Sequence, residues 1–385
     1  MTEYRKARPG ELSKIIEFID MVFTGTGVPH EFSSLLPKLY GEGKETERFH
    51  DLALEDGEIK AVVCVYPVVL HAGDEELTCA TVGSVSVHPD SRGKGYMTRL
   101  MEQAVEDMKR DGISISCLTG VRRRYQHFGY EICGWGNVYQ LSSAGIAGAF
   151  MQEGNRRFQP LLKVREVRAA DDVIWDDLYE LYHRQSYRVK RSRKDFPDIC
   201  RSWYEKVYAV LEEERPAGYL TWKKGTIHEL ILAREELLKP ALQAFFLHQK
   251  ECELSIRVYP HEIQRACILS GCCERESVRV DDNYQVFDYE KVLSFYLKMK
   301  SQECLLWDGE LTVSIENHGC YCLSVSGGKA FVSVTDREPE YPLTEFEAMA
   351  LFFSPAVTEV SRRLQTSHRL NWFPLPLSMC WLDKC

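Results

Sequence analysis

No stretch of this 385-residue chain is apolar for long enough to span a bilayer, and the opening run MTEYRKARPGEL has no signal-peptide core. A membrane partner is therefore not expected. A basic excess is lacking too: 48 Lys and Arg stand against 57 Asp and Glu, for a net charge of -9. That argues against a general nucleic-acid partner and allows a cationic substrate. Fourteen cysteines without a secretion signal point to reduced thiols and a cytoplasmic location. None has convincing zinc spacing. His318-Gly-Cys320-Tyr-Cys322 comes nearest and reads better as apolar cysteines alternating along a strand, so no metal is expected. Two nucleotide signatures are missing as well. A Walker A loop needs Gly where His88 stands and Ser or Thr where Gly95 stands; a dinucleotide fingerprint needs a third Gly where Thr98 stands.

What the chain does have is a strand, a basic glycine loop and an amphipathic helix in succession. Residues 81–87 alternate β-branched and small side chains, the pattern of a strand, and His88-Pro89-Asp90 ends it because proline has no ladder N–H. Arg92-Gly93-Lys94-Gly95 then leads into residues 96–109, where Leu100, Met101, Ala104, Val105 and Met108 recur at helical spacing. A glycine loop opening a helix presents backbone N–H groups to an anion, and Arg92 and Lys94 add charge. A phosphate-bearing ligand follows.

The run from Arg92 to Met97 resembles the acetyl-CoA pyrophosphate loop of the GNAT acetyltransferases, R/Q-x-x-G-x-G/A, with Met97 departing from the final small residue. Val85-Ser86-Val87 resembles the GNAT strand whose backbone pairs with pantetheine. The resemblance implies acetyl-CoA as co-substrate, held by Val85, Ser86, Val87, Arg92, Gly93, Lys94, Gly95, Tyr96, Met97 and Thr98. Further on, Tyr125-Gln-His-Phe128-Gly-Tyr130 resembles the GNAT Y-x-x-F-G-Y/F pattern. It implies Tyr125 as the general acid that protonates the departing CoA thiolate. Arg122 to Arg124 read as a solvated helix face; a contact to the CoA 3′-phosphate is the sharper alternative.

Around this centre the periodicities predict a strand at 3–8, a helix at 11–23, a hairpin at 52–70 and a buried strand at 113–118. Residues 24–47 read as irregular. Phe32, Leu35, Leu36 and Tyr40 there could wall a substrate cleft or simply pack. Residues 142–154, small and Gly/Ala-rich, read as a junction. Beyond it, 164–171 echo 4–11, and the same order follows: helix 173–187, strands 208–211, 218–222 and 228–232, helix 236–249, strand 254–258. Where the first half has its glycine loop, this half has Ala233-Arg234-Glu235-Glu236, whose carboxylates repel pyrophosphate at a helix start. The chain thus reads as α/β (α+β), with tandem GNAT folds, the N-terminal one active and the central one degenerate.

From about 286 the character changes. Helix 289–300 precedes short strands at 310–315, 320–326 and 330–334, and a capping box of Thr344 and Glu347 opens a helix that continues beyond Pro355 to 364. This arrangement resembles a sterol-carrier-protein-2-like (SCP2-like) fold. The last stretch, with two prolines and two tryptophans after Asn371, is too apolar for a free tail and reads as extended and docked. The expected boundaries are 1–145, 146–285 and 286–385.

This three-part pattern resembles the Eis (enhanced intracellular survival) family over essentially the whole chain. The resemblance implies N-acetylation of primary amines, with aminoglycoside-, polyamine- or lysine-like acceptors, a homohexamer, and a main-chain carboxylate at the chain end acting as general base. That maps to Cys385, where the family usually has an aromatic residue. Ser84 and Asp383 are expected on the acceptor side, although Asp383 reads slightly better as a solvated charge. A lipid carrier, or a CoA-binding regulatory protein without turnover, is the alternative.

Overall fold

The long alternating runs of the first 142 residues become strands wherever they can bury one face. In a computed structural model, which describes residues 2–25, 27, 30–152, 162–168, 172–280, 282–356, 362 and 371–385, the chain opens with β1 (Thr2–Lys6), α1 (Leu12–Thr24), α2 (Phe32–Leu35) and α3 (Pro37–Tyr40). There follow β2 (His50–Glu55), β3 (Glu58–Ala72), β4 (Glu75–Val87), α4 (Tyr96–Arg110), β5 (Ile115–Leu118), α5 (Arg122–Gln126) and β6 (Glu131–Cys133). The next group is β7 (Gly136–Ser142), α6 (Ser143–Gln152), β8 (Leu162–Val167), α7 (Ile174–His183), β9 (Tyr187–Val189) and α8 (Phe196–Arg201). Then come β10 (Lys206–Glu212), β11 (Arg215–Lys223), β12 (Thr226–Leu232), α9 (Leu238–Gln249), β13 (Glu253–Val258), α10 (Ile263–Ser270) and β14 (Arg275–Arg279). The last part has β15 (Asp282–Val286), α11 (Tyr289–Glu303), β16 (Gly309–Ile315), β17 (Gly319–Ser326), β18 (Lys329–Val334), β19 (Tyr341–Leu343) and α12 (Glu345–Phe353).

Two sheets share one topology. The first runs β1-β2-β3-β4-β5-β15-β6, with β9 added on β3; the second runs β8-β10-β11-β12-β13-β7-β14. Along each path a single pair is parallel, β4 with β5 and β12 with β13, and each is bridged by a helix, α4 or α9, as a parallel crossover requires. The penultimate strand of each sheet comes from the other half of the chain. β7 precedes the second half yet pairs with β13 and β14; β15 follows it yet pairs with β5 and β6. The sheets therefore do not follow the linear boundaries at 145 and 285. The third sheet, β18-β17-β16-β19, packs with α11 and α12.

Several local expectations change. Residues 142–154 are not a simple junction: 136–142 form β7 and Ser143–Gln152 a helix, while 153 and 154 lie outside the described residues. The helix at 174 stops at His183, because Tyr187 is drawn into β9, with Leu70 pairing Val189 and Ala72 pairing Tyr187. α10 and β14 carried no signal singled out above. In β17 the buried face is Tyr321, Leu323 and Val325, so Cys320 and Cys322 alternate on the half-exposed side rather than in the core. Helix α12 ends at Phe353; most of the continuation to 364, and residues 169–171 of the repeated motif, lie outside the described residues.

The stretch from Asn371 crosses the molecule with almost no secondary structure, so its backbone polar groups need partners from elsewhere. Lys300 Nζ donates to the carbonyls of Trp372 (3.1 Å) and Pro374 (2.9 Å), the Trp135 amide to Leu377 (3.0 Å) and the Tyr187 hydroxyl to Ser378 (3.0 Å). Trp372, Leu375, Leu377 and Leu382 are fully buried.

At the start of α12 the Thr344 hydroxyl accepts from the Glu347 amide, and the Glu347 carboxylate accepts from the Thr344 amide. Thr344→Ala removes the hydroxyl side of this box and leaves the backbone side, and urea unfolding should show a loss of about 1 kcal/mol.

Candidate active site

The site is built along β4. Its parallel partner β5 pairs from Cys79↔Ile115 to Val82↔Leu118 and ends there, while β4 continues to Val87. On its other edge the register with β3 shifts between Val62↔Ser86 and Cys64↔Gly83, so Ser84 and Val85 together face Val63. This is a β-bulge, and it puts Ser84 at a left-handed φ of 50°. Val85, Ser86 and Val87 then line a cavity of about 700 Å³.

The far wall of that cavity is the loop and the start of α4. Gly93 and Gly95 both stand at φ 80°, a conformation that glycine adopts without penalty, and open space lies where their Cβ atoms would be. Gly95 is the N-cap of α4, and no side chain caps the helix. Arg92, Gly93 and Gly95 line the cavity, as do Tyr96, Met97 and Thr98. Val22 and Phe23 of α1 face them, and Arg124 projects in from α5. Lys94 is an exception: its ammonium turns to Glu55, 3.0 Å away, and does not line the cavity.

Tyr125 is buried in the apolar cluster beneath this wall, with Tyr96, Leu118 and Tyr130. Its ring lies against Gly120, where an added Cβ would be 2.3 Å from the ring edge. Burial raises its pKa, with Arg124 opposing, so the phenol holds its proton at neutral pH.

The other end of the site is formed by the chain's last residue. A Cβ on Gly83 would lie 2.1 Å from the Cys385 main-chain oxygen and 2.9 Å from its sulfur, so only glycine fits. The Cys385 thiol donates to the Thr81 carbonyl (3.1 Å) and accepts from the Thr81 hydroxyl (3.2 Å). Burial raises its pKa, but hydrogen bonds from Cys64 and Thr81 and the Lys38 charge bring it below the ordinary thiol value. Lys38, itself buried, donates to the carbonyls of Leu382 (2.5 Å) and Lys384 (2.6 Å). Burial pushes its pKa down to about 8, against the pull of Asp383 and Cys385. Lys384 is in turn buried against Asp282 of β15.

Beside Gly83 a directed chain of hydrogen bonds leads into the core. His50 Nδ1 lies 3.0 Å from the Thr46 carbonyl, which only accepts, so Nδ1 carries the proton. Nε2 then accepts from the Tyr40 hydroxyl (3.0 Å), and the Tyr40 oxygen accepts from Ser84 (2.8 Å). Burial lowers the His50 pKa to about 4, so the ring stays neutral.

With this geometry in place, comparison decides the class. Residues 3–133 match the model of the acetyltransferase (GNAT) domain. The chain carries a GNAT acetyltransferase domain. It is accordingly an acyltransferase, and GNAT domains use acetyl-CoA as co-substrate. No curated protein matches it in sequence. Solved structures match it in fold over nearly its whole length. A GCN5-related N-acetyltransferase from Anabaena variabilis has a TM-score of 0.66 at 17% identity, covering 99% of this chain and 98% of that one. A probable N-acyltransferase of unknown function from Enterococcus faecalis has 0.65 at 15%, covering 96% and 93%. Eis1 from Mycobacterium abscessus has 0.64 at 15%, covering 99% and 98%. At such identities the likeness is one of fold.

Within the GNAT domain the loop and strand residues named from the sequence gather on one cavity, Lys94 excepted. Asp383 is neither solvated nor open to an acceptor: both its oxygens are taken by Arg191, at 2.9 and 2.8 Å, and it is buried. Phe32, Leu35, Leu36 and Tyr40 pack in the core on two one-turn helices, α2 and α3, and the residue between them, Leu36, and only the Tyr40 hydroxyl reaches toward the site. Sequence reasoning missed Lys38, His50, Arg191 and Asp282. Lys38 alone carried a local signal, a single cation inside the apolar run Leu35-Leu36-Pro37-Lys38-Leu39-Tyr40. No helix is long and apolar enough to cross a membrane, and no metal-ligand cluster occurs among the described residues.

Two outcomes follow. Gly83→Ala should drive Cys385 off β4; alkylation of Cys385, located by peptide mass, should become faster while acetyl-CoA binding, read by calorimetry, is retained. His50 titrates near 4 when folded and near 6.5 when unfolded, so the unfolded chain takes the proton first on acidification. The stability it supports is complete above 6.5 and is lost as pH falls toward 4. In urea unfolding, His50→Gln should lose less stability than the parent between about pH 7 and about pH 5.

Proposed function

We propose that the chain is an acetyl-CoA-dependent N-acetyltransferase of primary amines, organised like the Eis family, with aminoglycoside-, polyamine- or lysine-like acceptors. The observation that carries this reading is the seat of the Cys385 carboxylate on Gly83. Val85, at the cavity, is two residues further along the same strand, about 7 Å at the usual strand rise. Acyl donor and proton acceptor thus share one strand.

In this reading the pyrophosphate of acetyl-CoA rests on the uncapped start of α4 and on Arg92, and the pantetheine lies along Val85 to Val87, whose partner strand has ended. Lys94 serves the loop by neutralising Glu55 rather than by touching the cofactor. An acceptor amine arrives as ammonium, since an alkylamine titrates near ~10.4. The Cys385 carboxylate binds that cation and passes its proton to water; at ~3.3–3.7 it is too weak a base to hold it. Ser84, whose own proton is committed to Tyr40, turns lone pairs to the same side and accepts from the amine N–H. The amine nitrogen attacks the thioester carbonyl, and a backbone N–H of the 85–87 segment holds the oxyanion. The C–S bond then breaks, the nitrogen sheds its remaining extra proton by way of the Cys385 carboxylate to water, and Tyr125 protonates the thiolate. The products are the amide and CoA, and solvent restores the Tyr125 proton.

The second sheet is, on this reading, a degenerate GNAT copy. It repeats the strand order of the first, but Glu235 and Glu236 stand where a pyrophosphate loop would be, and Glu235 is paired with Arg265. The four-stranded third unit is taken as SCP2-like, and the assembly as a hexamer, which mass in solution checks.

The test is acetyl transfer to a panel of aminoglycosides, polyamines and lysine peptides, detected by mass so that the protein's own thiols do not interfere. Turnover of at least one amine is expected. Tyr125→Phe should lower kcat by about 10²-fold or more with little change in acetyl-CoA affinity. One residue appended after Cys385 should nearly abolish turnover. No acetylated product from any amine, with acetyl-CoA still bound, would leave a binding protein without turnover; normal turnover by the extended protein would remove the carboxylate from the mechanism.

A further inference from the structure

The second sheet opens as the first does. β12 and β13 pair only at Thr226↔Ser255 and Ile227↔Ile256, then part, just as β4 and β5 part after Val82 and Leu118. In the first sheet that parting gives onto the cofactor cavity. In the second it is filled by the chain's own tail. The Trp381 amide donates to the hydroxyl of Tyr259, one residue past β13, at 3.2 Å. The Trp381 indole stacks on His228 of β12, with ring centres 6.2 Å apart and planes 28° apart, and the Trp203 ring lies 4.6 Å from it. The Cys380 thiol donates to Glu229 of β12 (3.3 Å).

A buried arginine joins these parts. Arg191 is completely enclosed and meets two carboxylates at once: Glu229, at 3.0 and 2.7 Å, and Asp383, at 2.9 and 2.8 Å. The Tyr182 ring stacks under its guanidinium, 4.1 Å away. Glu229 is held by the Tyr219 hydroxyl as well (2.6 Å). Loss of either acid would leave half of the buried guanidinium's N–H groups without an acceptor, and Asp383 is two residues from Cys385.

We propose that the parted β12–β13 cleft is a receptor for the chain's own C-terminal segment, residues 378–383, and that Arg191 and Asp383 are positioning residues that set Cys385 on Gly83. The cleft has exchanged an acyl-CoA for a peptide ligand. Its carboxylate-bearing entry loop, hostile to a pyrophosphate, is no defect for that ligand. The docking role stands apart from the chemistry assigned to Cys385; only the effect on turnover rests on that assignment.

Asp383→Asn is the informative change, because Glu229 still neutralises Arg191 and the cleft keeps its internal contacts. Alkylation of Cys380 and Cys385, located by peptide mass and referred to the exposed Cys252 of the same molecule, should speed up by about tenfold or more. Over the same series kcat should fall by about tenfold to a hundredfold while the KM for acetyl-CoA holds, and Asp383→Glu should recover most of the loss. Calorimetry on the parent protein should find one acetyl-CoA per chain. Unchanged labelling of both cysteines in Asp383→Asn, or two acetyl-CoA molecules per chain, overturns the proposal. Faster labelling with unaltered turnover supports it and removes Cys385 from the mechanism instead. If Asp383→Asn does not fold, Tyr259→Phe, which deletes only the hydroxyl on the Trp381 amide, gives the same reading with a smaller change.

Discussion

The last residue of the chain rests on a glycine of the central strand so closely that no other side chain could stand there. Much of the architecture answers to that contact. A segment without regular structure must cross the interior to reach Gly83, and each buried carbonyl on the way needs a donor. Lys300 serves two at the third unit, Tyr187 one in the middle of the path, and Lys38 two at the end. Charge is arranged with the same economy. Three buried cations near the terminus, Lys38, Arg191 and Lys384, face the side-chain carboxylates of Glu229, Asp282 and Asp383. In the mechanism proposed above, the Cys385 carboxylate adds a negative charge that suits an ammonium ligand.

The exchange of penultimate strands ties this arrangement together. β15 belongs by sequence to the second half, completes the first sheet against β5, and begins with Asp282, the partner of Lys384. β7 makes the reciprocal connection. The first site therefore depends on residues up to the chain's end, and residues 3–133 alone lack β15, Arg191 and the tail. Cavity and tail lie on one strand, β4, whose bulge at Ser84 separates the part that receives Cys385 from the part that faces the cavity. This gives physical content to the second sheet: it keeps the parted strands of its counterpart but fills them with a peptide.

Locally encoded features were readable from the residues alone. The glycine loop, the proline that ends β4, the amphipathic face of α4 and the Thr344 box each depend on a few consecutive side chains, and the structure places them where their spacing puts them. Lys94 and Asp383 show where that reading runs out. Both are charges in the right neighbourhood, yet each is claimed by a partner far along the chain, Lys94 by Glu55 and Asp383 by Arg191. A charge next to a binding motif is as apt to neutralise another charge as to meet a ligand, and only distance in space tells which. The helix expected to reach Tyr187 ended early for a similar reason: β3 offered an open edge, and the strand pairing it allowed outweighed helical continuation.

The sequence by itself determined the chemistry on offer: an anion-binding loop at a helix start, a tyrosine in an aromatic motif beyond it, a repeated α/β order and an apolar tail that had to dock. These are matters of composition and short-range spacing, which the covalent chain carries directly. The tertiary structure decided which strand completes which sheet, which acid answers Arg191, and that Cys385 ends on Gly83. Those pairings join residues up to three hundred positions apart. They arise only when burial forces every charge and every backbone group to find a partner, and no local pattern records which one it will be.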